Sequence, residues 1–450
     1  MANTYLTKTF SGAGNTKKWT WSAWVKKSQE SSSSTYNQVL FGTAGGSYDT
    51  IAFQTTPNTP KFFASISGNF ERSTNALHRD CNGWYHLVVT FDSAQGTAAD
   101  RLKLYVNGVQ QSSFADNTNG NQNDDSYINT TDAHQIGKQA GLSRYFDGVM
   151  SHVHFCDGYA YAASSFGSTD TTTGEWRINT NPSVSYGTNG FFILKDGNSV
   201  TDQSGNSNNF TVAGGTLTKT EDNPSNVFAT INPLLGIDVI GGTVTYANGN
   251  TVAEDPNGSA SGINPNFIST LGMPSSGKWY CEVQPSSFST SSGHSIGIYR
   301  TKGSTDDTGE GDLELNSSKI RYIYADTSIY IIKYGTNDQT GLTSITSGQT
   351  VGMALDLDNG TLQYYVNGSA RANQITGINS ANDGYDYFFH AGLESSSSGR
   401  YGKYSWNFGN GAFGSTQLTG TTYNDSQGRG IFKYQPPTNF LALCTKNLNV

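Results

Sequence analysis

Pairs of acidic residues at alternate positions are the groups in this sequence best suited to chemistry. Asp312 and Glu314 form one pair, and Asp356 and Asp358 form another, so each pair would face one side of a β-strand. Two opposed carboxylates about 5 Å apart would suit hydrolysis of a glycosidic bond with retention. Taken as pairs, they lack a third acidic partner, and the second pair runs into the turn sequence Asp-Asn-Gly. We therefore predict solvent-facing and turn residues here, and no catalytic residues.

Two further groups of side chains have the chemistry of metal ligands. Asp116, Asp124 and Asp125 lie in an Asx-rich segment, and oxygen ligands in a flexible loop suit Ca²⁺. The alternative is a solvated loop that is rich in Asx-turns. His152 and His154 share one face of a strand, but no other Cys or His is nearby, so we expect them at the surface. Calcium is therefore the one cofactor that the sequence suggests.

Tyrosines alternate with aliphatic residues in one stretch of the second half of the chain. Tyr322, Tyr324, Tyr330 and Tyr334 would place several aromatic faces in one region. Aromatic faces stack on sugar rings, but tyrosine is equally typical of subunit interfaces and of open sheet faces. The tyrosines therefore predict either a glycan-binding platform or a protein interface.

Short strands must position all of these residues. Large apolar residues alternate with small or polar ones over 19–25, which predicts a half-buried strand, and the apolar run at 84–91 predicts a long central one. The predicted strand at 102–106 ends in Asn107-Gly108, the strongest short signal for a hairpin turn. Helical periodicity is almost absent.

The second half of the chain repeats this pattern. The segment LQYYVNG at 362–368 matches LKLYVNG at 102–108, and each follows a long apolar strand. A repeated supersecondary unit favours two related sandwiches over one mixed domain. The predicted fold class is therefore all-β, with two jelly-roll β-sandwiches in tandem. Asn-Pro dipeptides between 223 and 233 place the division near 235, which gives domains 1–235 and 236–450.

Composition and charge narrow the functional classes. The 450 residues include 52 glycines, 12% aromatic residues and only 14% charged ones, whereas disordered chains have few aromatics and many charges. The net charge of −8 argues against a nucleic-acid partner, which would need a basic stripe. No apolar run reaches the length of a membrane span or of a secretory signal, so we expect no membrane insertion and folding in the compartment of synthesis.

The four cysteines have no metal-site spacing. Cys81, Cys156, Cys281 and Cys444 are far apart in the sequence, and no two of them form a CxxC pair. We expect buried free thiols, with a disulfide between distant strands as the alternative.

Several motifs give each half of the chain a family resemblance. In the first half, GWYHLVVTFD at 83–92, LYVNG at 104–108 and YFDG at 145–148 resemble a laminin-G-like domain of the concanavalin-A-like superfamily. In the second half, GKWYCEV at 277–283 and the block 351–368 resemble a SPRY-like sandwich. The resemblance implies a concanavalin-A-like jelly roll for both domains. This fold serves lectins, glucanases and structural modules, so it does not define a function.

The whole chain also resembles large virion proteins of marine bacteriophages. The likeness is carried by DQSGNSNNF at 202–210 and GIFKYQPP at 430–437. It implies a location in the virion, as a capsid decoration or a tail-fibre component, with other virion proteins as partners. It also implies a homo-oligomer, since virion components assemble as symmetric copies.

Three functions are compatible with these observations. The sequence predicts a non-enzymatic structural or adhesive virion protein. The first alternative is a carbohydrate-binding module that recognises host surface glycans. The second is a glycoside hydrolase, but laminarinase-type enzymes carry Glu-x-Asp-x-Glu on one strand, whereas the acids considered above form only pairs.

Overall fold

The chain folds into two compact units in a computed structural model. The structure describes residues 3–28, 38–44, 48–56, 59–139, 142–195, 199–235, 244–255, 266–289, 293–301, 319–326, 328–378, 385–393 and 401–448. The first unit comprises Met1–Thr218 and the second Lys219–Val450.

The described part of the first unit consists of short strands and two 3-10 helices. The strands are β1 Leu6–Thr9, β2 Lys18–Lys27, β3 Gln38–Thr43, β4 Thr50–Thr56, β5 Thr59–Ile66, β6 Phe70–Leu77, β7 Tyr85–Asp92, β8 Leu102–Val106, β9 Val109–Gln110, β10 Phe114–Thr118, β11 Ala133–Ile136, β12 Lys138–Gln139, β13 Arg144–Tyr145, β14 Gly148–Asp157, β15 Gly167–Thr169, β16 Trp176–Ile178, β17 Phe191–Ile193 and β18 Thr211–Val212. The 3-10 helices span Ala98–Asp100 and Ala163–Ser165. An eight-stranded sheet has the order β10-β6-β5-β4-β3-β11-β1-β18, and a six-stranded sheet has the order β17-β14-β2-β7-β8-β9.

Aromatic side chains fill the space between the two sheets of the first unit. Trp21 of β2 stacks on Phe41 of β3, with ring centroids 6.2 Å apart. Phe91 of β7 meets Phe70 of β6 edge to face at 5.0 Å. All four side chains are fully buried. Each pair joins one sheet to the other, so these rings form the core of a β-sandwich.

The second unit has the same two-sheet construction. Its described strands are β19 Thr245–Ala247, β20 Val252–Asp255, β21 Asn266–Ile268, β22 Lys278–Ser286, β23 His294–Thr301, β24 Lys319–Ala325, β25 Tyr330–Lys333, β26 Thr336–Thr340, β27 Val351–Asp356, β28 Thr361–Val366, β29 Ser369–Ile375, β30 Asp386–Leu393, β31 Gly402–Asn407, β32 Ala412–Phe413, β33 Thr416–Gln417 and β34 Leu441–Ala442. A 3-10 helix spans Pro233–Leu235, and the helix α1 spans Thr445–Leu448. One sheet has the order β19-β20-β31-β22-β27-β28-β29, with β34 paired to β22, and the other has the order β21-β30-β23-β24-β25-β26.

The core of the second unit combines apolar packing with hydrogen bonds across the sandwich. Tyr364 of β28 packs against Tyr322 of β24, with ring centroids 5.5 Å apart. The Tyr364 hydroxyl donates to the carbonyl of Ile296 on β23 at 3.1 Å. Both tyrosines are fully buried, and this bond satisfies the polar end of one of them inside the core.

The all-β prediction with two sandwiches in tandem is confirmed. The four cysteines are buried free thiols, as expected. Among the helices of the described residues, none is both long and apolar enough to cross a membrane.

The repeated heptapeptides occupy equivalent positions in the two units. β8 pairs with β7 and β28 pairs with β27, and each repeat ends in a tight turn. Asn107 and Asn367 have φ values of 47° and 49°, and the glycines that follow have φ values of 81° and 80°. Two left-handed residues in succession are the signature of a type I′ hairpin, which explains the Asn-Gly sequence. Each asparagine side chain also accepts a hydrogen bond from the backbone at the start of the preceding apolar run.

The division between the units lies at Thr218 and Lys219, earlier than the predicted residue 235. Residues 219–235 find their backbone partners in the second unit, where Phe228 bridges Cys444 and Ile231 bridges Ser269. The Asn-Pro dipeptides therefore lie inside the second unit. They mark turns there, and the sequence contains no information on which sandwich the segment joins.

Candidate functional site

The outer face of the six-stranded sheet in the first unit is covered by residues 159–189, which we name the first cover. On this face, Val88 and Tyr105 point away from the sandwich core and pack against Ala163 and Phe166 of the first cover. The least buried of these four side chains is only 8% exposed. This part of the sheet is therefore closed by the protein's own chain.

His86 lies on this covered face between Ser22 and Trp176 of the first cover. Its Nε2 is 2.9 Å from Ser22 Oγ, and the Trp176 indole donates to its Nδ1 at 3.0 Å. An indole nitrogen can only donate, so the neutral imidazole carries its proton on Nε2. Burial lowers the pKa of His86 to about 3, which keeps the ring neutral. In this tautomer His86 donates to Ser22 and cannot activate it as a nucleophile.

His152 and His154 lie in the interior, and their prediction as surface residues is wrong. His154 stacks on Phe192 with ring centroids 3.9 Å apart, and its Nδ1 is 2.9 Å from the hydroxyl of Tyr186 in the first cover. The His152 ring lies 2.8 Å from Ser151 Oγ, at an irregularity in the pairing of β14 with β2. Alternation along a strand shows which residues share a face, but it does not show that another segment will cover that face.

The second unit covers the corresponding face with residues 423–447, which we name the second cover. Glu282 of β22 points away from the core and is fully buried beneath it. The carboxylate accepts four hydrogen bonds of 2.8–3.3 Å, from Tyr434 N, Lys433 N, Asn407 Nδ2 and Tyr280 OH. Burial raises the pKa of Glu282 to about 7, although the four hydrogen bonds act in the opposite direction. This carboxylate therefore fastens the second cover to the sheet.

Other buried carboxylates of the described residues hold loops in the same way. Asp49 accepts from the backbone N–H groups of Ser67, Tyr127 and Ile128 at 2.5–2.8 Å. Burial raises the pKa of Asp49 to about 6. Further buried acids that accept from backbone N–H groups are Asp157, Asp202, Asp222, Asp356 and Asp425. The oxygens of these acids are engaged in structural hydrogen bonds, which does not suit a general acid or a nucleophile.

The four predicted tyrosines do not form a common exposed platform. Tyr322 and Tyr324 are fully buried in the core of the second unit. Tyr330 pairs with Ile323, so it lies on the opposite face of the sheet from Tyr322 and Tyr324, and it is half-buried. Tyr334 is half-buried at the turn after β25. The alternating pattern therefore reflects a core strand, and the Tyr334 ring packs against the guanidinium of Arg300.

Two of the three aspartates suggested for calcium, Asp124 and Asp125, lie in a loop, and Asp116 lies on a strand. Asp124 accepts from Asn121 N at 3.0 Å and from Asn69 Nδ2, and Asp125 accepts from Thr16 Oγ1. Asp116 lies on β10 and is paired with β6. Among the described residues, which include all three, no group of three or more His, Cys, Asp or Glu could hold a metal ion. Asp124 and Asp125 therefore belong to an Asx-rich loop whose carboxylates accept hydrogen bonds from neighbouring groups.

The two carboxylate pairs have different positions. Asp358 accepts from Gly277 N at 2.7 Å and lies in the turn after β27 as predicted. Asp356 ends β27 and forms an ion pair with Lys278 at 2.7 Å, and its prediction as a solvent-facing residue is wrong because it is buried. Asp312 and Glu314 lie outside the described residues.

Asp312 and Glu314 do have a third acidic partner in the sequence, so the expectation that they form only a pair is wrong. Glu310 stands two residues before Asp312, so 310–314 reads Glu-Gly-Asp-Leu-Glu and completes the Glu-x-Asp-x-Glu spacing. The spacing was visible in the sequence alone. All five residues lie outside the described part of the chain.

Comparison with known proteins supports the fold of the first unit. Residues 2–165 match the family model of the concanavalin A-like lectin/glucanases superfamily. This region contains both sheets of the first sandwich except β15–β18, and it ends within the first cover. A search of the curated proteins found no match.

Solved structures resemble the chain over part of its length. The SPRY domain of human HERC1 is 16% identical, covering 40% of this chain and 94% of that domain with a TM-score of 0.29. A heptameric SAP-like pentraxin from Limulus polyphemus is 15% identical, covering 36% of this chain and 72% of that one, with a TM-score of 0.27. Domain 4 of AbnA, a GH43 extracellular arabinanase from Geobacillus stearothermophilus in complex with arabinotriose, is 18% identical, covering 33% and 64% with a TM-score of 0.26. At these scores the likenesses carry no functional argument.

Proposed function

We propose that this protein is a non-catalytic structural or adhesive component of a bacteriophage particle. One observation supports the proposal that the protein is not an enzyme. Buried carboxylates accept hydrogen bonds that hold loops in place, and Glu282 is the clearest case. The covered faces of both units also support this proposal, because a face closed by the chain's own segments offers no cleft for a substrate. The aromatic-rich cores of the two units provide rigid frameworks for exposed loops.

The assignment to a phage particle is supported by the resemblance of 202–210 and 430–437 to virion proteins. In that particle the protein is a capsid decoration or a tail-fibre component. It forms a homo-oligomer, and this oligomer contacts other virion proteins. The match of residues 2–165 to a lectin/glucanase superfamily favours one second candidate, a carbohydrate-binding module that recognises host glycans. The two roles are compatible, because an adhesive virion protein can bind a surface polysaccharide.

Intact particles provide the test of the particle assignment. Gold-labelled antibodies raised against the folded chain should decorate purified, intact phage particles, on the shell for a capsid decoration or at the tail for a fibre component. Antibodies preincubated with the free protein serve as the control and should give no label. Absence of the chain from purified particles, with the protein recovered only in the soluble fraction of the lysate, would contradict the proposal.

Hydrolysis assays test separately the proposal that the protein is not an enzyme. We expect no release of reducing sugar from a panel of β-glucans, because the buried carboxylates of the described residues are engaged in structural hydrogen bonds. The matched variants are Glu310→Gln and Glu314→Gln, which remove the acids with little change in volume. Turnover by the natural sequence that both substitutions abolish would establish a glycoside hydrolase and overturn this part of the proposal.

A further inference from the structure

A cation held between two aromatic rings lies at one end of the second sandwich. The Arg300 guanidinium is 3.7 Å from the ring centroid of Tyr334 and 4.3 Å from that of Tyr385. Arg300 is near the end of β23, Tyr334 is at the turn between β25 and β26, and Tyr385 directly precedes β30. β23 pairs with β30 on one side and with β24 on the other, and β24 pairs with β25, which brings these three parts of the chain together.

Two N–H groups of the Arg300 side chain have no acceptor among the residues that the structure describes. Arg300 Nε and Nη1 are buried and donate no hydrogen bond. Arg101 in the first unit shows the contrasting structural case, because its Nε, Nη1 and Nη2 all donate to backbone carbonyls. Donors that are removed from water without an acceptor are costly, since the guanidinium always remains charged. The two ring contacts compensate the charge but provide no acceptor for the N–H groups.

We infer that Arg300, Tyr334 and Tyr385 bind the carboxylate of an acidic saccharide. A planar guanidinium presents paired N–H groups that match the two oxygens of a carboxylate, and the flanking rings hold its plane in one orientation. Tyrosine rings also supply apolar surface to a sugar next to the carboxylate. The inference rests on the proposed adhesive function and specifies its ligand class, because surface polysaccharides that contain uronic acids present such carboxylates.

The test compares one sugar with and without its charge. Isothermal titration of the full chain with trigalacturonate should show binding at least about tenfold tighter than with the methyl-esterified trisaccharide, because only the former offers a carboxylate to the guanidinium. Arg300→Lys keeps the charge but loses the planar fork, so it should weaken trigalacturonate binding by about tenfold or more. Tyr385→Leu retains Arg300 but removes one of the two aromatic rings that pack against its guanidinium, so it should also weaken trigalacturonate binding. Circular dichroism melting curves establish that each variant is folded.

A second cation–aromatic cluster provides the matched control. Lys138 lies 4.4 Å from the Tyr5 ring centroid and 5.5 Å from that of Tyr145, in the first unit. Lys138→Ala removes an equivalent charge and should leave trigalacturonate binding unchanged.

Three results would overturn the inference. They are equal affinity for the acid and the ester, undiminished binding by folded Arg300→Lys and Tyr385→Leu, and affinity for triglutamate equal to that for trigalacturonate, which would indicate a peptide site. None of these results bears on whether the chain is present in phage particles, so failure here is distinguishable from failure of the proposed function.

Discussion

Replacing Glu282 by Ala should lower the free energy of unfolding of the second unit by at least about 4 kcal/mol, because four donors lose their acceptor at about 1–3 kcal/mol each. Two of these donors are the backbone N–H groups of Lys433 and Tyr434, so hydrogen exchange at these amides should accelerate first. Urea denaturation followed by circular dichroism measures the overall effect. Loss of less than about 1 kcal/mol would show that the carboxylate does not hold the second cover.

A surface acid of the same type provides the control for this substitution. Glu254 forms an ion pair with Lys403 at 3.0 Å, and both side chains are about one third exposed. Glu254→Ala should therefore change the unfolding free energy by less than about 1 kcal/mol.

The buried carboxyl of Glu282 also gives this unit a characteristic pH dependence. Its pKa in the folded state is about 7, above the ordinary value of 4.5, so the folded state binds the proton more tightly than the unfolded chain. The stability contributed by this group is therefore full below pH 4.5 and is lost as the pH rises through about 7, by about 3 kcal/mol in total. The glutamine in Glu282→Gln cannot titrate, so the stability of this variant should not fall with rising pH in this range, even though the variant is less stable overall. An unchanged slope in Glu282→Gln would assign the pH dependence to another group.

The first unit should lose stability in mild acid. Burial lowers the pKa of His78 and His134 to about 4 and that of His86 to about 3. Each folded-state value lies below the ordinary 6.5, so the contribution of each histidine is full above pH 6.5 and is lost as the pH falls toward 4. The loss is about 3 kcal/mol or more for each histidine. Asp49 has the opposite effect, because its pKa is raised to about 6 and its contribution to stability grows as the pH falls. This gain offsets a loss of about 3 kcal/mol, the amount that one histidine loses.

The net loss is about 5 kcal/mol by pH 5 and about 7 kcal/mol by pH 4, which is comparable to the whole stability of an ordinary domain, so we expect the first unit to unfold between pH 5 and pH 4. Tryptophan fluorescence reports mainly on this unit, because five of the seven tryptophans lie in it, at positions 19, 21, 24, 84 and 176. Urea midpoints measured from pH 8 to pH 4.5 should fall steeply below pH 6.5.

The substitution His134→Gln tests the assignment to buried histidines. In the folded state His134 Nε2 accepts from Asn129 N, and Nδ1 lies 2.9 Å from the carbonyl of Asp132, so a glutamine amide can replace both interactions without titrating. Below pH 6.5 the free energy of unfolding should change with pH less steeply, by the equivalent of one bound proton. Above pH 7 its dependence on pH should stay the same. Equal slopes for the variant and the natural sequence below pH 6.5 would exclude His134 as a contributor.

Local patterns in the sequence were enough to predict the strands and the two sandwiches. The strand at Trp19 to Val25 and the two Asn-Gly turns depend on residues adjacent in the chain, and both are present in the structure. The strand is buried on both faces, however, so its prediction as half-buried is wrong. The acid spacing at Glu310 to Glu314 was equally local, and it was missed by considering pairs of acids instead of the full run. The turn position of Asp358 was predicted for the same local reason.

Only the tertiary structure decided which sheet faces are covered and which side chains meet. Tyr322 and Tyr324 are core residues and His154 is buried because distant segments pack over them, and such packing leaves no periodic signal in either partner. Arg300, Tyr334 and Tyr385 come from three separate parts of the chain and meet through strand pairing. Strand formation is governed by neighbouring residues, whereas burial and site assembly depend on contacts between residues far apart in the sequence.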